Sequence, residues 1–149
     1  MTSLQTFYKV KDLQEREKKQ KQKIYQEHID HFESVATQMY ELLKRKETED
    51  LRFDEELSGS SIKAEVFMQH ERFVEQLEQQ INDLQNTVHK ARTDMESAHE
   101  VLSTAHIEVK KYESLIDRRL QQRSAWNKAE ESKSMDELSV RQFLNYKNR

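Results

Sequence analysis

The chain has no cysteine, no proline and only one glycine in 149 residues. Without cysteine there is no disulfide framework and no thiolate metal site, which fits a reducing compartment. Globular chains carry roughly 7% glycine and 5% proline because they turn often. A chain without these residues turns rarely. One glycine is also too few for a loop that cradles phosphate. No apolar run has the form of a signal peptide, and none approaches the ~20 residues of a membrane span. The expectation is a soluble intracellular protein with no direct membrane insertion. No Ser, His and acid stand in a recognisable triad. The expectation is therefore no enzymatic activity and no cofactor.

Charged residues make up 36% of the chain and hydrophobic residues 34%. Low hydrophobicity with high charge also describes disordered chains. Two features argue for order. The net charge is only −3, and the apolar residues recur with a strict period. Starting at Phe73 and stepping by three or four, the chain reads Leu77, Ile81, Leu84, Val88, Ala91, Met95, Ala98, Leu102, Ala105, Val109, Tyr112 and Ile116. A stripe this narrow is the seam of a two-stranded coiled coil, not the broad face of a bundle helix. Two successive steps of four, Phe73 to Leu77 to Ile81, predict a local stutter.

Ser58-Gly59-Ser60-Ser61 is the one strong break. Gly59 is expected to end a helix in the left-handed conformation, and Ser60 or Ser61 to cap the next. This predicts a single all-α hairpin over residues 1–149. Helix one covers about 3–57, the turn 58–61 and helix two about 62–131. These would be rods of roughly 80 and 100 Å at 1.5 Å per residue. Helix one carries two apolar patches. One is Leu4, Phe7, Val10 and Leu13. The other is Ile24, His28, Phe32, Val35, Met39 and Leu42, then Phe53 and Leu57. The polar run Gln14 to Lys23 between them is expected to face residues 117–133, where helix two also loses its stripe. Ser134-Met135-Asp136-Glu137 has the form of a capping box. Residues 134–146 are thus a helical extension, either a new helix or a continuation of helix two.

Three weaker signals have ordinary explanations. His28 and His31 share a face, with His89 expected opposite, and three imidazoles would suffice for zinc. No carboxylate spacing reinforces the set, so the expectation is no metal. Lys18, Lys19, Lys21 and Lys23 alternate with Glu15, Glu17 and glutamines. They read as a solvated face, not a nucleic-acid footprint. Trp126 falls on the extrapolated seam, as either a core residue or an exposed anchor for a partner.

Phe7-Tyr8-Lys9-Val10-Lys11-Asp12-Leu13 and its Glu/Lys-rich sequel open the chain. Phe73-Val74-Glu75-Gln76-Leu77-Glu78-Gln79-Gln80-Ile81 follows the turn. Glu108-Val109-Lys110-Lys111-Tyr112-Glu113, then Lys133-Ser134-Met135-Asp136-Glu137-Leu138 and Arg141, lie toward the end. In order, spacing and length these stretches resemble the FliJ family, small soluble components of the bacterial flagellar type III export apparatus. The resemblance implies a long two-helix antiparallel coiled coil, similar to a rotary-ATPase stalk. It also implies binding to the hexameric flagellar export ATPase, to the transmembrane export gate protein and to export chaperones. By resemblance the gate-binding positions are Gln38, Leu42, Phe73 and Leu77. Two aromatic positions of that surface read Arg45 and Glu49 here.

Charge suggests where the ATPase contact lies. Arg118, Arg119 and Arg123, with Trp126 and the Lys18 to Lys23 run, are expected to meet the lining of the ring. The location implied is the cytoplasmic face of the inner membrane, reached through the export apparatus. Two other classes compete. A generic structural coiled coil or hairpin chaperone would bind through exposed apolar tips. A nucleic-acid binder would show steep salt dependence.

Overall fold

The computed structural model describes residues 3–59 and 63–148. Two helices account for them. Helix α1 spans Leu4–Gly59, 56 residues, and helix α2 spans Ala64–Lys147, 84 residues. They pack against each other, and no strand occurs among the described residues. The fold class is the all-α coiled-coil hairpin that the narrow stripe predicts.

Ser3 starts α1. Its hydroxyl accepts the Thr6 N–H at 3.3 Å, and its carbonyl accepts the N–H groups of Thr6 and Phe7. Such a cap satisfies donors that the first turn otherwise leaves unpaired. The other end of α1 departs from the sequence reading. Ser58 and Gly59 are still helical, and Gly59 has no positive φ. The Ser58 hydroxyl donates to the Glu55 carbonyl at 2.9 Å, so this serine belongs to the last turn of α1 and not to a loop. The expected caps Ser60 and Ser61, and the expected start at Ile62, lie outside the described residues. A Cβ added at Gly59 would meet nothing within 4 Å. Gly59→Ala should therefore raise stability by about 0.4–1 kcal/mol, through the smaller entropy of the unfolded chain. Urea denaturation measures this, and destabilisation would mean that the residue needs a left-handed backbone.

Helix α2 begins with the Lys63 carbonyl accepting from Val66 and Phe67. Glu65 in its first turn and Lys147 in its last complement the helix dipole. Between Ile116 and Lys147 the sequence offers neither glycine nor proline to stop it. The helix runs through Ser134 without a break, so residues 134–146 continue helix two.

The chain divides into two compact units. One joins Met1–Lys18 to Thr104–Arg149; the other is Lys19–Ser103. In the Lys19–Ser103 unit the seam is a regular alternation of three and four. On α1 the half-buried or buried positions are Lys21, Tyr25, His28, Phe32, Val35, Met39, Leu42, Lys46, Glu49 and Phe53. On α2 His70, Val74, Leu77, Ile81, Leu84, Val88, Ala91, Met95, Ala98 and Leu102 answer them. The predicted stutter is absent. Below Leu77 the seam steps through Val74 and His70, while Phe73 is 37% exposed. The regular heptad keeps the seam facing its partner, whereas two steps of four would rotate it away. The first positions assigned to the second α1 patch also shift. Ile24 is exposed and Tyr25 takes the seam; Leu57 is exposed as well.

Side-chain pairs confirm the antiparallel register of this unit. Lys46 Nζ lies 3.2 Å from Glu78. Two heptads back on α1 and two forward on α2, the Arg92 guanidinium covers the Phe32 ring at 5.7 Å. One heptad further, Tyr25 and His99 have ring centroids 5.2 Å apart. Each contact is worth only about 1 kcal/mol or less at a wet surface. Their value is that a slipped register would break all of them together.

In the other unit α1 supplies Leu4, Phe7, Lys11, Gln14 and Lys18 at the same alternation, all half-buried. Helix α2 supplies Ala105, Val109, Tyr112 and Ile116. The polar run of α1 was expected to face residues 117–133. It does not. Phe7 already sits under the Arg119 guanidinium at 5.4 Å. The charges of Lys11 and Lys18 act on Glu113. In the Lys19–Ser103 unit, Lys21 lines a groove with Asp94, Ser97 and Val101. The polar side chains thus face the apolar stripe, and the alkyl stems of lysine can cover such a surface while the heads stay in water. Glu113 has its carboxyl held below the ordinary range, chiefly by the hydrogen bond from Lys110; desolvation opposes this, and the charges of Lys110, Lys11 and Lys18 add to it. A lowered folded pKa means that this contribution is present at neutral pH and lost as pH falls through the lowered value.

Candidate functional site: surfaces for partner proteins

The grooves along the flanks of the described helices are open to solvent. Exposed side chains whose burial would be favourable are the candidates for function.

The four positions expected by resemblance to meet the gate separate into two kinds. Leu77 is 3% exposed and Leu42 is half-buried, both on the seam. Gln38 is exposed, and so is Phe73. Because the seam runs through Val74 and His70, Phe73 is left at its edge. It lines a groove with Glu49, Arg52, Glu56 and Gln69. Arg45 is exposed, and Glu49 is half-buried on the seam.

The charged end of α2 presents a different surface. Every described residue from Asp117 to Asn148 is exposed. Helix α1 as described starts at Leu4, and its Phe7 already lies against Arg119, near the start of this stretch. Arg118, Arg119, Arg123 and Trp126 all lie in it, and Trp126 is 65% exposed. Of its two readings, the tryptophan takes that of an exposed residue. Arg119 differs from its neighbours because its guanidinium packs on Phe7. Met135, Leu138, Val140, Phe143, Leu144 and Tyr146 are exposed beyond it, an apolar content that a solvated helix does not need.

The three histidines considered for a metal are not brought together. His28 lines a groove with Asp94, Ala98 and Val101, while His31 and His89 are exposed. Among the described residues no group of three or more His, Cys, Asp or Glu side chains is placed to hold a metal. Nor is any helix among them long and apolar enough to cross a membrane.

The sequence reading overlooked His70. Its ring stacks on Phe53 with centroids 3.8 Å apart and planes 4° from parallel. Glu49 and Asp50 carboxylates lie 3.9 Å from its two nitrogens. Phe67 is the other aromatic neighbour of Phe53, with ring centroids 5.9 Å apart. The signal was available. Stepping back from Leu77 by three and four gives Val74, His70 and Phe67, but a polar residue in the walk made Phe73 look like the better choice.

Comparison with known proteins agrees with this architecture. The profile of the family described as "Flagellar FliJ protein" matches residues 3–148. The "Flagellar FliJ protein" of Bacillus subtilis (strain 168) is 33% identical over 139 residues, covering 93% of each chain. No solved structure matches. A match over nearly the whole length, on a hairpin with the expected seam, settles the relationship: the chain belongs to the FliJ family and is a component of the flagellar export apparatus.

Proposed function

We infer that the chain is a non-enzymatic assembly and activation factor, which binds the flagellar export ATPase ring through the end of α2 and links it to the export gate and export chaperones. The observation that carries this reading is the exposed stretch Asp117 to Asn148, in which Arg118, Arg123 and Trp126 stand open to solvent. A helix with exposed arginines and a large aromatic is suited to a partner that supplies carboxylates and an apolar pocket. A stalk of this kind that binds the hexamer better than the separate subunits shifts assembly toward the ring by mass action. The gate contact would use Gln38 and Phe73 directly, with Leu42 and Leu77 setting the local packing. Its place would be the cytoplasmic face of the inner membrane.

The test adds the protein to the purified export ATPase and follows hexamer formation and ATP hydrolysis. Wild type should stimulate both, and the fluorescence of Trp126, the sole tryptophan, should change on binding. Arg118→Glu combined with Arg123→Glu should weaken binding about tenfold or more. Arg119 is left intact in this variant because of its contact with Phe7. Unchanged binding by the double variant would remove the ATPase assignment. No complex and no stimulation with wild type would favour a generic coiled coil or a hairpin chaperone.

A further inference from the structure

Helix α1 carries a second apolar stripe that its pairing with α2 leaves open. Tyr40, Leu43 and Leu51 are 65%, 45% and 60% exposed. With Glu47 between them they recur every three or four residues, and the line continues back through half-buried Ala36 and Ile29. At 3.6 residues per turn the stripe lies roughly 110° around the helix from Val35, Met39 and Leu42 on the seam. A two-stranded coil needs apolar residues only at the seam positions. The combined face is as wide as that of a helix with two neighbours.

Leu43 of this stripe lines a groove of about 540 Å³ between the helices of this unit, together with Lys46, Glu75, Glu78, Ile81 and Asn82. Lys46, its one cation, is held by Glu78 at 3.2 Å. Glu75 in the groove and Glu47 on the adjoining stripe have no ion-pair partner among the described residues, so negative charge without a partner flanks the apolar Leu43 and Ile81. Gln38 and Arg45 project roughly 150° away around α1. This flank is therefore on a different side of α1 from Gln38 and Arg45.

We propose that the Tyr40–Leu43–Leu51 flank docks a basic amphipathic helix of a partner protein, which lies along the groove as a third strand. Apolar residues of that helix, spaced by three and four, would cover Leu43, Tyr40 and Leu51. Its lysines or arginines would reach Glu47 and Glu75. The acidic rim selects a basic helix over an acidic one, and the linear stripe selects a helix over a loop.

Two synthetic helical peptides test this with the full chain. Both carry leucine at alternating third and fourth positions, one flanked by lysine and the other by glutamate. Fluorescence anisotropy should show binding of the lysine peptide and not of the glutamate peptide. Tyr40→Ser with Leu43→Ser removes the apolar floor without changing charge, and should weaken binding about tenfold or more. Glu47→Gln with Glu75→Gln should weaken it several-fold. Ser34→Ala, an exposed position on another side of α1, should leave it unchanged. All three variants change exposed residues, and circular dichroism checks their folding; if the serine pair unfolds the chain, Tyr40→Ala with Leu43→Ala takes its place under the same criterion. Equal binding to the floor variant, equal binding of both peptides, or loss with Ser34→Ala would overturn the proposal. So would sedimentation as a dimer that Leu43→Ser dissociates, since the occupant would then be a second copy.

Discussion

Leu77→Ala should destabilise the hairpin by about 2–4 kcal/mol, while Phe73→Ala should cost less than ~1 kcal/mol. The two residues sit four apart and share one sequence motif, yet their environments differ. Leu77 is 3% exposed on the seam beside Ile81. Truncating it removes packed methyl groups and leaves a gap that two rigid helices cannot easily close. Phe73, 37% exposed at the seam's edge, already keeps part of its ring in solvent. Urea denaturation of both variants, read at constant m-value, gives the comparison. Similar losses at the two positions would mean that the seam passes through Phe73 after all. The result also governs how binding data are read. A weaker gate contact in a Leu77 variant would reflect a loosened hairpin, whereas one in a Phe73 or Gln38 variant would report the surface itself.

Phe53→Ala should cost about 3–4 kcal/mol, the largest effect expected from the turn end of the Lys19–Ser103 unit. Phe53 is buried in a helix whose neighbouring residues are nearly all exposed. It joins His70 by face-to-face stacking and Phe67 by a tilted contact. Its loss would expose both rings and leave the Glu49 and Asp50 carboxylates beside an imidazole no longer held in place. Hydrogen exchange should show faster opening concentrated in residues 46–59 and 63–78, because no other buried contact anchors that stretch of α1. A loss near 1 kcal/mol, with uniform exchange along the helices, would show that the turn end is held mainly by its backbone. Phe53→Leu separates the two contributions: it keeps apolar volume, loses the stacking, and should fall between wild type and Phe53→Ala.

The seam of α2 was legible because all of its positions from Val74 to Ile116 are apolar and a three-four alternation through apolar residues has few other meanings. The seam of α1 was only half legible. Lys11, Gln14, Lys18, Lys21, Lys46 and Glu49 occupy seam positions, and a reading that follows apolar residues passes over them. It chose Ile24 and Leu57 instead, both of which are exposed. The same habit put a stutter at Phe73 and hid His70. Periodicity persists through polar residues because backbone geometry, not side-chain chemistry, sets which residues face the partner.

The candidate surfaces divide in the same way. That arginines and a tryptophan lie together near residue 120 is plain in the sequence. That nothing covers them depends on which part of α1 lies alongside which part of α2. The sequence reading placed the polar run Gln14 to Lys23 against residues 117–133. The contact of Arg119 with Phe7 and the action of Lys11 and Lys18 on Glu113 place it against the apolar stripe instead.

By itself, the amino-acid sequence determined that this chain is two helices with one seam, since it lacks the residues that would turn it and repeats apolar residues at the helical period. It also carried the motifs of its family. Only the tertiary structure decided the register of one helix on the other, and with it which aromatic closes the turn end, which leucine is seam and which phenylalanine is surface. The physical reason is that each helix is periodic, so a shift by a heptad changes little within either one. The choice among registers is made by pairwise contacts such as Lys46 with Glu78 and Phe53 with His70, which exist only once the two helices meet.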